Sequence, residues 1–155
     1  MRFYDWMLAL HLLAAFAVGA ALVLYSVLVF SGRRMNDLEQ TRLLFRLAPY
    51  GTPLIAGGTV LVLVLGVILA IDHEEYHLWD LWVLIGIVLW AVLGAVGQRS
   101  GAYYTAVQQV AERGGPEAEA EVFARLRAPT GPRLHLATVV VFVLLVLDMI
   151  FKPWA

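Results

Sequence analysis

The sequence predicts an all-α membrane protein in which four transmembrane helices form an antiparallel bundle. Of its 155 residues, 61% are hydrophobic and only 15% are charged, and the mean hydropathy is +0.79. A soluble domain of this size could not bury so much apolar side chain. The chain also contains no cysteine, which excludes disulfides and thiolate metal sites.

Four apolar segments approach the ~20 residues that a helix needs to cross a bilayer. They cover residues 6–30, 53–71, 81–96 and 134–151. Apolar runs of this kind are helical in lipid, because a helix satisfies its own backbone hydrogen bonds. The third helix is expected to continue to residue 113, where Gly114-Gly115-Pro116 ends the helical pattern. We therefore expect one transmembrane domain over residues 1–155, whose first span is too long for a cleaved signal peptide.

The arginines indicate the orientation of the helices. Of the 11 Lys and Arg residues, four lie in the connection 31–52 and five in the connection 97–133. The connection 72–80, "DHEEYHLWD", carries four acids and no basic residue. The positive-inside rule places the two arginine-rich loops in the cytoplasm. Loop 72–80 and both termini are then expected outside the inner (plasma) membrane.

Small residues predict where the helices approach each other, since helix association in lipid depends on close packing. Ala15 and Gly19 lie four residues apart in the first helix. The second and third helices each carry two glycines eight residues apart, which are expected to mark one packing face on each helix: Gly58, Gly66, Gly86 and Gly94. In the loop 31–52, leucines at helical spacing predict a short amphipathic helix at the inner headgroups.

His11 is the most unusual residue of the first helix. Ala15 follows one turn later on nearly the same face, so the imidazole is expected to point into the bundle. There it could donate one interhelical hydrogen bond, or it could bind a ligand or a proton. Asp148 is expected at a similar depth, where it could pair with His11. Asp148 could equally pair with Lys152 at an ordinary helix end.

Three further side chains could serve as metal or cofactor ligands. His73 and His77 have the i,i+4 spacing that places two imidazoles on one side of a helical turn, near several acids and Asp148. The same residues also suit a solvated acidic loop. Met149, near the end of the fourth helix, is a candidate axial haem ligand. His135 stands at the other end of that helix and is expected at the interface beside Arg133.

Three stretches carry a resemblance to a known family: "YDWMLALHLLAAF", "SGRR" and "LHLATVVVFVLLVLDMIFKPWA". Together they resemble small bacterial four-helix inner-membrane proteins known only as a domain of unknown function, over essentially the whole chain. More distantly, a first-helix histidine followed by small residues is similar to the membrane domain of copper-resistance protein D and to bacterial haem-dependent protoporphyrinogen oxidase. In those families this histidine is implicated in binding, a role that would fall on His11. The chain departs from both, because it lacks the Trp-Gly pair that often follows and a second intramembrane histidine at matching depth.

The sequence thus favours a non-catalytic accessory or scaffolding subunit of a larger membrane complex, such as a respiratory or electron-transfer complex. Its expected partners are the lipid bilayer and other membrane subunits or a second copy, and nucleic-acid binding has no support. No catalytic residue is predicted. The alternative is a membrane redox protein that binds haem b or copper around His11 on the outer side.

Overall fold

The computed structural model describes residues 3–72 and 77–152. Within these ranges the chain is 89% helical and contains no strand. Four helices are long and apolar enough to cross a membrane, which confirms the predicted all-α fold with four membrane-length helices. The six helices are α1 (Phe3–Gly32), α2 (Leu38–Phe45), α3 (Ala48–Asp72), α4 (Leu81–Arg113), α5 (Pro116–Arg127) and α6 (Thr130–Phe151).

The four long helices associate as two pairs. α1 packs along α3, and α4 packs along α6, whereas the contacts of α1 with α6 and of α3 with α4 are far fewer. The short helices α2 and α5 both pack against α4. The packing therefore concentrates within each helix pair, and the boundary between the pairs is comparatively open.

Glycines bring α3 close to α1. A Cβ placed on Gly58 would lie 2.7 Å from Cγ2 of Val18 and 3.2 Å from the carbonyl oxygen of Ala14. A Cβ on Gly66 would lie 3.1 Å from Cε1 of His11. Both glycines thus face α1, and a larger side chain at either position would push α1 and α3 apart. Small residues are expected at such close helix contacts in lipid.

The glycines of α4 behave differently from each other. A Cβ on Gly86 would lie 2.5 Å from Cε of Met149 and 3.2 Å from Oδ2 of Asp148, so Gly86 faces α6 closely. No atom of the described residues lies within 4 Å of a Cβ on Gly94. Gly58 and Gly66 of α3 have the same spacing and both face α1, so the spacing does not account for this difference. Of the two α4 glycines, Gly86 packs against another described helix, and a packing role for Gly94 stays a prediction.

The first helix also uses its small residues on more than one side. A Cβ on Gly19 would lie 3.5 Å from the Phe142 ring of α6, which is ordinary van der Waals contact. Ala14, which the sequence did not single out, is buried, whereas its neighbour Ala15 is only half-buried. Gly19 therefore faces the second helix pair rather than α3.

At one end of the molecule, α2, α5 and the last turns of α4 form a small apolar core that we call the cap. Its buried residues are Leu38, Phe45, Val107, Val110, Ala111, Ala118, Val122 and Leu126. The amphipathic helix expected at the headgroups is α2, but Leu38 and Phe45 pack into this core, and Leu43 stays exposed. The apolar residues of α2 thus divide between the cap and the surface.

Polar contacts fix the cap to the long helices. The guanidinium of Arg42, which also pairs with Glu39, donates from Nε and Nη2 to the carbonyl oxygen of Ala111 at 2.8 and 2.6 Å. The Arg33 guanidinium donates to the Ala128 carbonyl at 3.1 Å, and the Tyr103 hydroxyl donates to the Arg125 carbonyl at 2.6 Å. The carbonyls of Ala111 and Ala128 lie at helix ends, where intrahelical partners are lacking, whereas the Arg125 carbonyl also accepts from the Ala128 N–H.

Candidate functional site

A cavity of about 970 Å³ lies between the two helix pairs, toward the end of the molecule opposite the cap. All four long helices contribute to its walls, which are mainly apolar and include several aromatic rings. Tyr4 near the start of α1 and Lys152 after α6 lie at what we call the open end. The cavity is large enough to accept a small lipophilic molecule.

His11 contributes an imidazole to this cavity. Its ring lies beside Gly66 of α3, and its Nδ1 is buried without a hydrogen-bond partner among the described residues. The backbone of Val62, also on α3, lies within hydrogen-bond range of the same ring. Ala15 and Gly19 line the cavity as well. The structure therefore places three residues selected from the first helix on one wall, with Nδ1 of His11 turned toward α3 rather than into the open space.

Asp148 is buried in a different place, between α6 and α4. It is only 7% exposed, and its carboxylate faces Gly86. Neither carboxylate oxygen has a hydrogen-bond partner within residues 3–72 and 77–152, and Asp148 does not line the cavity. The two pairings considered from the sequence, with His11 and with Lys152, are both absent in this part of the chain. The Lys152 ammonium lies instead 5.3 Å from the centre of the Trp82 ring.

His135 has a hydrogen-bond partner that the sequence did not predict. It is only 4% exposed, and its Nε2 lies 2.7 Å from the Ser26 hydroxyl of α1. Ser26 Oγ also donates to the Leu22 carbonyl at 2.9 Å, and with the hydroxyl hydrogen used there, Nε2 of His135 is the donor. The location of His135 at the inner interface stays a prediction. Ser26, a hydroxyl within an apolar span, was the available sequence signal.

A second hydrogen bond crosses between the helix pairs. Trp90 Nε1 of α4 donates to the backbone carbonyl of Thr59 of α3 at 3.0 Å. Trp90 and Thr59 both line the cavity. The Trp90 indole is therefore already satisfied where it meets the cavity, unlike the His11 imidazole.

The predicted metal ligands are not assembled by the described residues. His77 stacks on Trp79 at 4.8 Å between ring centres, and its backbone N–H donates to Asp80 at 2.8 Å. His73 lies outside the described residues. Among residues 3–72 and 77–152, no group of three His, Cys, Asp or Glu side chains could hold a metal ion. A site formed by His73, His77 and Asp148 thus stays a prediction.

Met149, the other cofactor-ligand candidate, is brought to the cavity together with His11. Its terminal methyl group packs on Gly86, and the side chain lines the cavity wall formed by α6. An imidazole from α1 and a thioether from α6 therefore face one cavity, on opposite helix pairs. These two residue types form an axial haem set in cytochromes.

No protein-family model, curated protein or solved structure matches this chain. The resemblance of the quoted stretches to known families therefore stays a prediction. The functional proposal rests on the geometry of the cavity.

Replacing the buried carboxyl should stabilise the protein. Asp148→Leu keeps the branched shape of the side chain and removes a buried polar group without partners, so the free energy of unfolding should rise by roughly 1–3 kcal/mol. Asp72→Leu, at an exposed acid near the end of α3, is the control and should change stability by less than about 0.5 kcal/mol. Unfolding in detergent measures both variants. A loss of stability in Asp148→Leu would mean that the carboxyl has a favourable partner.

Proposed function

We propose that the protein is a non-catalytic, multi-pass membrane protein that binds a lipophilic molecule between its two helix pairs. The observation that carries the proposal is the apolar cavity of about 970 Å³, whose lining includes the His11 side chain. Ligand sites combine mainly apolar walls with a few polar groups that orient the ligand, and this cavity has that composition. A membrane-soluble ligand suits its walls best.

Dispersion contacts along the cavity walls favour binding of an apolar molecule there. Side chains that border an empty space lose dispersion contacts on that side, and larger voids cost more stability. A bound apolar molecule restores those contacts. Because the pairs α1–α3 and α4–α6 touch each other little, the ligand would also supply much of the contact between them.

We further propose that the four helices form an antiparallel bundle in the inner (plasma) membrane. The order of contacts supports it: Gly51, Gly58 and Gly66 of α3 approach Tyr25, Val18 and His11 of α1, respectively. The arginine-rich segments 31–52 and 97–133 would be cytoplasmic, and loop 72–80 and both termini would lie outside. The cap is then cytoplasmic, and the open end of the cavity lies in the outer half of the membrane.

Haem b or copper is the alternative occupant of the same cavity. His11 and Met149, which both line it, would hold the haem iron or the copper ion. When bound, such a group would supply electron transfer. This alternative differs from an organic ligand in a directly measurable way, because haem gives a visible spectrum and copper gives a metal signal.

Filling the cavity tests the proposal. Gly66→Leu adds a side chain beside His11, whereas Gly57→Leu on the same helix is the control, since no described atom lies within 4 Å of its Cβ position. Both variants and the unaltered protein are extracted from native membranes in polymer nanodiscs. Bound compounds are measured by mass spectrometry, a visible spectrum and metal analysis. We expect one lipophilic compound enriched over bulk lipid, retained by Gly57→Leu and lost from Gly66→Leu.

Two results of this experiment would contradict or redirect the proposal. Equal lipid composition in all three samples, with no enriched compound, would show that the cavity holds no specific ligand. A haem spectrum or stoichiometric copper that depends on His11 would assign the redox alternative instead. Size-exclusion chromatography confirms folding of each variant, and Ala15→Phe, which enters the cavity from α1, replaces Gly66→Leu if that variant does not fold.

We propose as a second function that the protein is an accessory or scaffolding subunit of a larger membrane complex. One face of α4 supports this role, because within the expected span it carries small residues where leucine and valine are usual against lipid. Small residues are common where membrane helices associate. The residues of this face within the span are Ala91, Gly94 and Ala95. The expected occupant is a transmembrane helix of another subunit.

Crosslinking in native membranes tests the second proposal. A photoreactive amino acid at Ala95 should capture one membrane protein, whereas the same group at Leu13, which is 64% exposed on α1, should react with lipid. Mass spectrometry identifies the crosslinked products. Capture of a second copy of this chain would show that the α4 face mediates self-association rather than binding to a larger complex. Lipid adducts alone at both positions would exclude the α4 face as a protein interface.

A further inference from the structure

The cavity extends along the helices over the depth of one lipid layer. Its lining residues run from Trp82 to Leu93 on α4 and from Thr59 to Ala70 on α3. On both helices the two ends lie eleven residues apart, which is about 16 Å by the helical rise. The hydrocarbon core of a bilayer is ~30 Å thick and contains two layers of acyl chains, so one layer measures about 15 Å. The cavity therefore has the length of one acyl chain in its layer.

The cavity is not closed off from the surrounding lipid. Leu8, Leu12 and Phe16 of α1 and Ile150 of α6 line it, yet all four residues are exposed, Phe16 to 73%. The contacts between α1 and α6 are few. The gap between these two helices is therefore a side opening, through which an alkyl chain can enter the cavity from the bilayer without leaving apolar surroundings.

The charge at the open end restricts the headgroup of such a lipid. Lys152 is the one Lys, Arg, Asp or Glu side chain that lines the cavity within residues 3–72 and 77–152. Its ammonium lies 5.3 Å from the centre of the Trp82 ring of α4. The nearby acid Asp148 faces Gly86 and does not line the cavity. Lysines at helix ends extend to the membrane interface, where they attract anionic lipid.

We infer that the cavity binds one anionic phospholipid, with an acyl chain between the helix pairs and the phosphate at the Lys152 ammonium. This inference rests on the proposed ligand-binding function and names the ligand class. The apolar walls make dispersion contacts with the acyl chain, and the lysine charge favours a headgroup with net negative charge. The second acyl chain stays in the bilayer beyond the side opening, so the phospholipid remains in its own layer.

Quenching by a brominated lipid provides the test, because Trp82 and Trp90 line the cavity and bromine atoms on an acyl chain quench indole emission on contact. The full chain, with the other three tryptophans changed to Phe, is held in dodecylmaltoside micelles. It is titrated with phosphatidylglycerol or phosphatidylcholine, each brominated in one acyl chain. We expect saturable quenching by both lipids, with about fivefold tighter binding of phosphatidylglycerol, the effect of one lysine on an anionic lipid.

Charge variants show whether Lys152 causes this preference. Lys152→Gln should lower the apparent affinity for phosphatidylglycerol about fivefold, to that for phosphatidylcholine, and Lys152→Arg should retain the preference. Arg133→Gln removes the same charge from an exposed residue at the other end of α6, and as the matched control it should change neither affinity. Equal affinities for the two lipids in the unaltered protein, or a preference that survives Lys152→Gln, would overturn the inference.

The outcomes separate failure of the lipid class from failure of the cavity function. Equal quenching by both lipids that Gly66→Leu abolishes would overturn the headgroup assignment and leave the cavity function intact. Tighter binding of dibromostearate than of phosphatidylglycerol would replace the phospholipid by a free fatty acid. An absence of saturable quenching would overturn the inference, and if the purified protein also carries no enriched compound, both proposals fail.

A measurement on the unaltered chain covers the case in which the variants do not fold. The protein is reconstituted in nanodiscs that contain equal amounts of phosphatidylglycerol and phosphatidylcholine, and retained lipid is counted by native mass spectrometry. One phosphatidylglycerol per chain should remain bound. Retention of both lipids in equal amounts, or of neither, would overturn the inference.

Discussion

Lipid provides no hydrophobic force between helices, so close contact and hydrogen bonds decide which helices associate. In this protein the close contacts lie within the helix pairs. Gly58 of α3 packs against Val18 of α1, and Gly86 of α4 packs against Met149 of α6. Between the pairs, the contacts are few, and side-chain hydrogen bonds carry much of the connection. His135 bonds to Ser26, and Trp90 bonds to Thr59. The cavity follows from this division, because the pairs are joined without being packed along their whole length.

The cap stabilises one end of this arrangement. It is built like the core of a soluble domain, with apolar residues of α2, α4 and α5 around Val107 and Val122, which are fully buried. Arg42 and Arg33 bind backbone carbonyls near the ends of α4 and α5, respectively. Arg33 and Arg42 both lie between α1 and α3, so these bonds join that connection to the end of α5 and to the end of α4.

The sequence predicted the membrane-length helices well, because length and apolar composition alone determine whether a segment can span a bilayer. It did not predict the cap, since the apolar residues of α2 and α5 show a helical pattern but do not reveal which surface they meet. The hydrogen bond of His135 was not predicted for the same reason, because its partner Ser26 is 109 residues away in the chain. Gly94 illustrates a further limit, because Gly58 and Gly66 have the same spacing and both face α1, whereas no described atom lies within 4 Å of a Cβ on Gly94. The cavity beside His11 arises from the distance between helix pairs, which no local pattern encodes.

The His135–Ser26 hydrogen bond helps to join two helix pairs that otherwise touch little. A double-mutant cycle with Ser26→Ala and His135→Phe measures this directly through the free energy of unfolding in a bilayer. We expect a favourable coupling of about 0.6 kcal/mol, with an upper limit of about 1.7 kcal/mol for interhelical hydrogen bonds in membranes. The cycle of Ser26→Ala with Asp72→Leu, whose side chains share no contact, should give a coupling within about 0.3–0.5 kcal/mol of zero. A Ser26–His135 coupling no larger than that control would show that this hydrogen bond does not join the pairs.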